Sequence, residues 1–324
     1  MENREKFLDV YPDYDLSTLP SYIRDEISDV FVEGKTKRTL ILPDGRKYFL
    51  GNKLNDLTGS EWTFFTNSVV NTNYSTSKKD GDAHHIRKIH PSPKPPKLLA
   101  EIIKFFTKEN QIVFDYFAGV GGSLLASSMT NRRCIGIELN KKYVETYKEA
   151  NSFLGLNEQP ILCGDSLELL GSQVLDDLFA GEKASLILID PPYANMMSKE
   201  KTGDDLRKHG KDATPFTNSK QDIGNMEGDL FWKTFYSIVN KSLVYLKDGG
   251  HLVVFIKDLQ PSGKETNLLH AKMIECLNRN DKLFYKGLKI WADQTSMLFP
   301  YGYPFGFVAT QIHQYILIFK KKGD

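Results

Sequence analysis

The chain has 324 residues, of which 40% are hydrophobic and 26% charged, and its 42 Lys and Arg against 41 Asp and Glu leave a net charge of +1. That is the composition of a globular protein with ample material for a core, and it excludes a disordered polyelectrolyte, a collagen-like chain or a small disulfide scaffold. No segment approaches the roughly 18 consecutive apolar residues that span a bilayer, and the opening MENREKFLDV has no apolar secretory core, so a cytoplasmic protein is expected.

Residues 1–85 read as an N-terminal extension available to contact substrate. It contains one hairpin, RTLILPDGRKYFL, with Pro43, Asp44 and Gly45 as the turn, and then the aromatic segment EWTFFTNSVVNTNY. Between Thr76 and Lys108 eight basic residues (Lys78, Lys79, Arg87, Lys88, Lys94, Lys97, Lys104, Lys108) face three acids, a local excess suited to phosphates or simply to a solvated face. His84, His85 and His90 fall in the same stretch, but no second pair of ligands follows at zinc-like spacing, and no metal is expected. Cys134, Cys163 and Cys276 lie far apart with apolar flanks and read as small core residues.

Residues 86–324 read as one domain. From about Gln111 strand-like and helix-like segments alternate: QIVFDYFAG, a helix from Ser123, RRCIGIELN, a helix from Lys141, PILCGD, a short helix, and ASLILIDPPY. This rhythm predicts βα units winding a parallel sheet with right-handed crossovers. Residues 195–228 interrupt it with a long polar, aperiodic loop, expected to be mobile until nucleic acid binds. A helix around Phe231 to Leu246 then leads through KDGG into HLVVFIKD, and KLFYKGLKIW and HQYILIFKK make a closing antiparallel pair. The fold class is therefore α/β, a doubly wound, mostly parallel seven-stranded sheet of Rossmann-like type. YGYPFGF, between the last two strands, is too rich in Gly and Pro for regular structure and is expected to be exposed near the sheet rim.

In open α/β sheets ligands bind at the carboxyl ends of the strands. Four successive strands end in Asp115, Glu138, Asp165 and Asp190, a regularity that argues for a binding rim rather than for helix caps. The glycines of DYFAGVGGS permit a tight turn and close approach of a ligand, but the spacing lacks the G-x-G-x-x-G dinucleotide fingerprint. An acidic rim is also unsuited to a pyrophosphate. It suits an adenosine bearing a cationic sulfonium, which is S-adenosyl-L-methionine.

HPSPKPPKLLAEIIKFFTKENQIVFDYFAGVGGSLLAS, DPPY and HQYILIFKK together resemble the amino-group DNA methyltransferases, which methylate the exocyclic nitrogen of adenine or cytosine, over roughly Ile89 to Lys321. The resemblance implies that Pro91, Lys94 and Pro95 frame the methionine end of the cofactor, that Asp115, Phe117, Ala118, Gly119, Gly121 and Ser123 line it, that Glu138 holds the ribose, and that Asp165 holds the adenine amino group. It implies further that Asp190, Pro191, Pro192 and Tyr193 receive the target base, and an aspartate heading that motif favours adenine. Tyr116, Ala118 and Gly122 depart from the residues usual in the family, and no large recognition domain is inserted. Sequence specificity is then left to residues 1–85, the loop after Tyr193, the segment Asp293 to Ile312, a second copy in a homodimer, or an accompanying specificity or restriction partner.

An aromatic amine is a weak nucleophile because its lone pair is delocalised. Asp190 and a backbone carbonyl near Pro191 can accept its hydrogens and favour the tetrahedral nitrogen, while Tyr193 stacks on a base flipped out of duplex DNA. The alternatives are an RNA guanine-N2 or adenine-N6 methyltransferase, which can carry the same tetrapeptide, and a non-catalytic nucleic-acid-binding module. The second would predict damage to the motif, yet all four residues are intact.

Overall fold

The computed structural model describes residues 4–192, 217, 219–259, 267–298, 300 and 302–323. Near the N-terminus β1 (Glu5–Lys6), β2 (Phe31–Glu33), β3 (Thr39–Ile41) and β4 (Lys47–Phe49) form a small antiparallel sheet in that order. The hairpin at Pro43 to Gly45 joins β3 to β4. Phe7, Ile23, Val30, Leu40 and Tyr48 give this unit a core of its own.

The large sheet holds β5 (Val69–Thr72), β6 (Ile112–Asp115), β7 (Arg133–Glu138), β8 (Ile161–Cys163), β9 (Ala184–Ile189), β10 (Leu246–Ile256), β11 (Leu283–Asp293) and β12 (His313–Lys321), in the order β5-β11-β12-β10-β9-β6-β7-β8. Strands β6 to β10 are parallel, and β12 runs antiparallel to both β10 and β11. Every residue of β6 and β9 is buried, because successive side chains enter cores on opposite faces. Phe114 and Ile187 belong to one of these cores, Val113 and Leu186 to the other.

An eighth strand joins the seven expected. β5, which the sequence places in the extension, pairs in parallel with β11. Its anchors are distant in sequence: Trp291 Nε1–H donates to Thr72 Oγ1 at 2.7 Å, and the buried Lys289 ammonium, drawn down to about 8 by burial, donates to the Phe65 carbonyl and lies 3.9 Å from the Phe65 ring. The polar loop also differs from expectation at its end. Ile223 is packed into the core, Asp222 accepts from Thr217 and Gly224, and a helix begins at Gly228; Tyr193 to Phe216 and Asn218 lie outside the described residues. Cys163 is exposed rather than a core residue, because β8 is a three-residue edge strand. Among the described residues no helix is long and apolar enough to cross a membrane.

Half of the expected basic face is turned inward or paired, while Lys78, Lys79 and Lys88 stay exposed. Arg87 and Lys94 turn inward, and Lys97 and Lys104 pair with Asp82 and Glu101. The small unit is fastened to the large sheet through a buried carboxylate: Asp56 Oδ2 accepts from Arg132 at 2.9 Å and from the Glu109 N–H at 2.6 Å, and Arg132 also donates to the Thr107 and Thr130 carbonyls. Burial raises the Asp56 pKa despite the neighbouring guanidinium. Truncating Asp56 leaves that guanidinium buried and unpaired, so Asp56→Ala is expected to cost about 3–5 kcal/mol in urea unfolding. Asp56→Asn, which keeps an acceptor, is expected to cost less, and equal losses for the two would remove the ion pair from this account.

Candidate active site

The chain builds β6, β7 and β8 outward in one direction, then returns to place β9 and β10 on the other side of β6. This reversal opens a crevice between the carboxyl ends of β6 and β9, where doubly wound sheets receive ligands. Asp115 ends one strand and Asp190 follows the other. Lys94, Asp115, Phe117, Ala118, Gly119, Ser123 and Asp190 line the crevice, together with Arg87, His90 and Phe255.

The glycine turn is shaped by carboxylates. Asp115 Oδ1 accepts the Phe117 N–H at 3.0 Å and its Oδ2 accepts the Ser123 hydroxyl. Glu138 Oε2 accepts the Gly119 N–H at 2.7 Å, and Oε1 accepts the Asn140 N–H at 2.7 Å. Gly119 has φ +52°, with only the His90 ring within 4 Å of where a Cβ would lie, so its backbone is left accessible from the crevice. Gly121 serves a different purpose. At φ +73°, a Cβ there would lie 2.2 Å from the Tyr147 ring, so this glycine is required by internal packing rather than by a ligand. Burial raises both acids, Asp115 to about 7 with the charge on Asp190 adding to it, and Glu138 to about 7 although two N–H groups favour its ionised form.

The opposite wall is basic. Lys94, 6% exposed along its side chain, places its ammonium 2.5 Å from Asp190 Oδ2 and 5.5 Å from the centre of the Phe255 ring. Arg87 ends the short helix α1 (His84–Arg87) and is wholly buried, donating through Nε to the Val120 carbonyl at 3.2 Å and through a terminal nitrogen to the Lys94 carbonyl at 2.8 Å. It thereby ties the glycine turn to the Pro-Lys-Pro segment. Burial pulls its pKa to about 10. His90 packs against Tyr143 and is held neutral, its pKa pulled to about 3 by burial first and by Lys94 and Arg87 next.

The remaining expected residues stand off the crevice. Gly121 packs inward on Tyr147, and Glu138, half-buried, meets the crevice through the Gly119 N–H. Pro91 is exposed, and Pro95 precedes helix α2 (Pro96–Phe106) as its N-cap. Asp165 accepts the Leu167 N–H at 2.8 Å and caps helix α3 (Ser166–Leu169), so one of the four acidic strand ends is also the helix cap that the regular spacing argued against. Pro191 is buried and Pro192 half-buried after β9, and Tyr193 lies outside the described residues. Arg87, His90 and Phe255 were not singled out as site residues by the sequence; Arg87 sat within a run of surface-type charges.

The chemistry of the crevice fits S-adenosylmethionine: the buried Asp115 and the half-buried Glu138, both with raised pKa, suit a ligand that brings hydroxyl donors and a cationic sulfonium. The profile of the family described as DNA methylase, the N6/N4 amino-methyltransferases, matches residues 6–149. Type II methyltransferase M.HpaI of Haemophilus parainfluenzae is 36% identical over 86 residues, 25% of this chain and 27% of that protein. The putative methylase YubD of Escherichia coli is 42% identical over 66 residues, 20% of this chain and 27% of that protein. Over these stretches the chain is similar to the amino-group DNA methyltransferases. A tRNA (guanine(10)-N2)-dimethyltransferase of Pyrococcus abyssi is 21% identical over 164 residues, 51% of this chain and 43% of that protein. The matched stretches span less than half the length of each of these relatives.

The raised carboxylates set a pH signature. A carboxyl held at about 7 in the fold and near its ordinary value when unfolded lowers stability progressively as pH rises from about 4 to 7, and by a constant amount above that. Glu138→Gln removes this penalty, so the variant's melting temperature relative to wild type should rise between pH 5 and pH 8 in the cofactor-free protein. A difference that does not change with pH would contradict the buried state of Glu138.

Proposed function

We propose that the chain transfers a methyl group to the exocyclic amino group of a base in DNA, N6 of adenine in particular, with the base flipped out of the duplex into the crevice. The observation that carries this reading is the intact Asp-Pro-Pro segment at the end of β9, with Asp190 sharing one crevice with the glycine turn of β6. When bound, S-adenosylmethionine supplies a methyl group on a positively charged sulfur. Everything else falls to the chain's own residues.

Glu138 would hold the ribose of the cofactor and Asp165 its adenine amino group, and Pro91 and Pro95 would fix the path of the segment that carries Lys94. Asp190 accepts a hydrogen of the target amine and steadies the positive charge that grows on nitrogen. The Lys94 ammonium, paired with Asp190, holds its carboxylate in position before the base arrives. Pro191 and Pro192 remove two backbone donors and stiffen the turn, so that the acceptors keep their position during transfer. Tyr193, which lies outside the described residues, would stack on the base. The reaction needs no covalent intermediate, in keeping with Cys134 and Cys276 being buried and Cys163 lying on the edge strand. An enzyme of this kind acts in the cytoplasm, where DNA is accessible. A guanine or adenine amino group in RNA is the second reading, and the breadth of the similarity to the Pyrococcus abyssi tRNA enzyme favours it.

Nucleosides from DNA and RNA incubated together with the protein and S-adenosylmethionine, separated by chromatography and mass spectrometry, should show N6-methyladenine in the DNA. N4-methylcytosine alone would move the assignment to cytosine, and N2-methylguanine in the RNA would replace the substrate. Asp190→Ala should slow transfer by a factor on the order of a hundred while leaving cofactor affinity nearly unchanged, with Asp190→Asn between. Full turnover by Asp190→Ala would contradict the mechanism.

A further inference from the structure

The segment joining β11 to β12 is unlike the rest of the molecule. From Gln294 to Ile312 it has no Asp, Glu, Lys, Arg or His, in a chain that is 26% charged. Five of its described apolar side chains are exposed, Met297 at 63%, Leu298 73%, Tyr303 81%, Phe305 96% and Phe307 94%, while Val308 and Ile312 are half-buried. A contiguous exposed apolar patch of this size marks an interaction surface.

The loop is built to hold these rings outward. Its base is closed by the Asp293 N–H donating to the Ile312 carbonyl at 3.2 Å, and is pinned to the sheet by the Gln294 N–H donating to the Thr72 carbonyl at 2.8 Å. Within it the Phe305 and Gly306 N–H groups donate to the Gly302 carbonyl at 2.7 and 2.8 Å. Gly302 has φ +79°, and a Cβ there would meet the Gly306 carbonyl oxygen at 2.5 Å, so the tight turn depends on glycine. The backbone thus forms its own turn and leaves Tyr303, Phe305 and Phe307 uncovered.

Its place in the fold points to the occupant. Ala292 pairs with His313, Ile256 with Tyr315, and Val254 with Ile189, so the loop leaves the sheet at the same edge as Asp190. Strand β12 is two positions from β9, which puts the foot of the loop about 10 Å along the rim from Asp190 at ordinary strand spacing. A base that leaves a duplex uncovers the faces of its two neighbours. Those faces are uncharged and aromatic, as is the loop, whereas a surface for phosphates would carry Lys or Arg.

We propose that Tyr303, Phe305 and Phe307 form a stacking platform for the bases next to the flipped nucleotide, and hold the duplex open at the target. The proposal rests on DNA being the substrate. Aromatic rings suit the task because they offer a large flat surface and lose little rotamer freedom on contact.

The test uses the full chain, a fluorescein-labelled DNA duplex, and the same duplex with a short unpaired bubble, with binding followed by fluorescence anisotropy. Wild type should bind the bubble at least about tenfold more tightly than the paired duplex, since stacking on each base contributes on that order. Phe305→Ala/Phe307→Ala, at positions too exposed to matter for folding, should abolish the preference. It should leave the slope of log Kd against log salt and the affinity for S-adenosylhomocysteine unchanged, because no phosphate contact or cofactor contact is lost. No bubble preference in wild type, or the same preference in the variant, would overturn the platform. A shift from dimer to monomer in sedimentation velocity caused by the variant would assign the loop to a second copy instead. Wild type that methylates RNA and leaves DNA untouched would mark failure of the substrate reading itself.

Discussion

The hydrogen bond from the Gly119 N–H to Glu138, with the paired contacts of Asp115 to Phe117 and Ser123, is the constraint on which the rest of the crevice depends. A turn between a buried strand and a helix exposes backbone donors that no neighbouring strand can satisfy. Here carboxylates at the ends of two adjacent parallel strands satisfy them. The arrangement places negative charge in a poorly solvated pocket, which is why burial dominates both pKa values. The acids that shape the turn are therefore also the acids that a cationic or hydroxyl-bearing ligand would find, and one set of residues answers both the folding problem and the binding problem.

The basic wall follows the same economy. Arg87 is spent on two carbonyls, one in the glycine turn and one in the Pro-Lys-Pro segment, and so fixes the distance between them. Lys94, carried on that segment, can then meet Asp190 across the crevice. A guanidinium is suited to this because its planar fork donates in several directions at once and keeps its charge when buried. The positions of Lys94 and Asp190 are set by strands and helices that pack into two cores, not by surface contacts.

The parallel strands were legible because continuous apolar runs such as ASLILI admit few alternatives to a doubly covered strand, and the acids were legible because each ends such a run. The hairpin at Pro43 to Gly45 and the final antiparallel pair were legible from local turn chemistry and alternation. Other features depend on partners distant in the chain, to which local patterns are blind. β5 is a strand only because Trp291 and Lys289 receive it, and Gly121 is a glycine because of Tyr147. Arg87 and Lys94 look like surface charges until the fold turns them inward. Cys163 was misjudged because its apolar neighbours do not reveal that β8 lies at the sheet's edge. Asp165, read in the sequence as part of a binding rim, is the cap of a short helix in the fold.

The proposed function requires that Glu138, whose carboxyl pKa burial raises to about 7 in the free protein, serve as an ionised acceptor for the ribose when the cofactor is held. Titration calorimetry with S-adenosylhomocysteine, in buffers of different ionisation enthalpy from pH 6 to pH 8, tests it most directly. The account predicts net proton release on binding near pH 6.5 and affinity that rises with pH across the range. Proton uptake, or affinity that falls as pH rises, would contradict it.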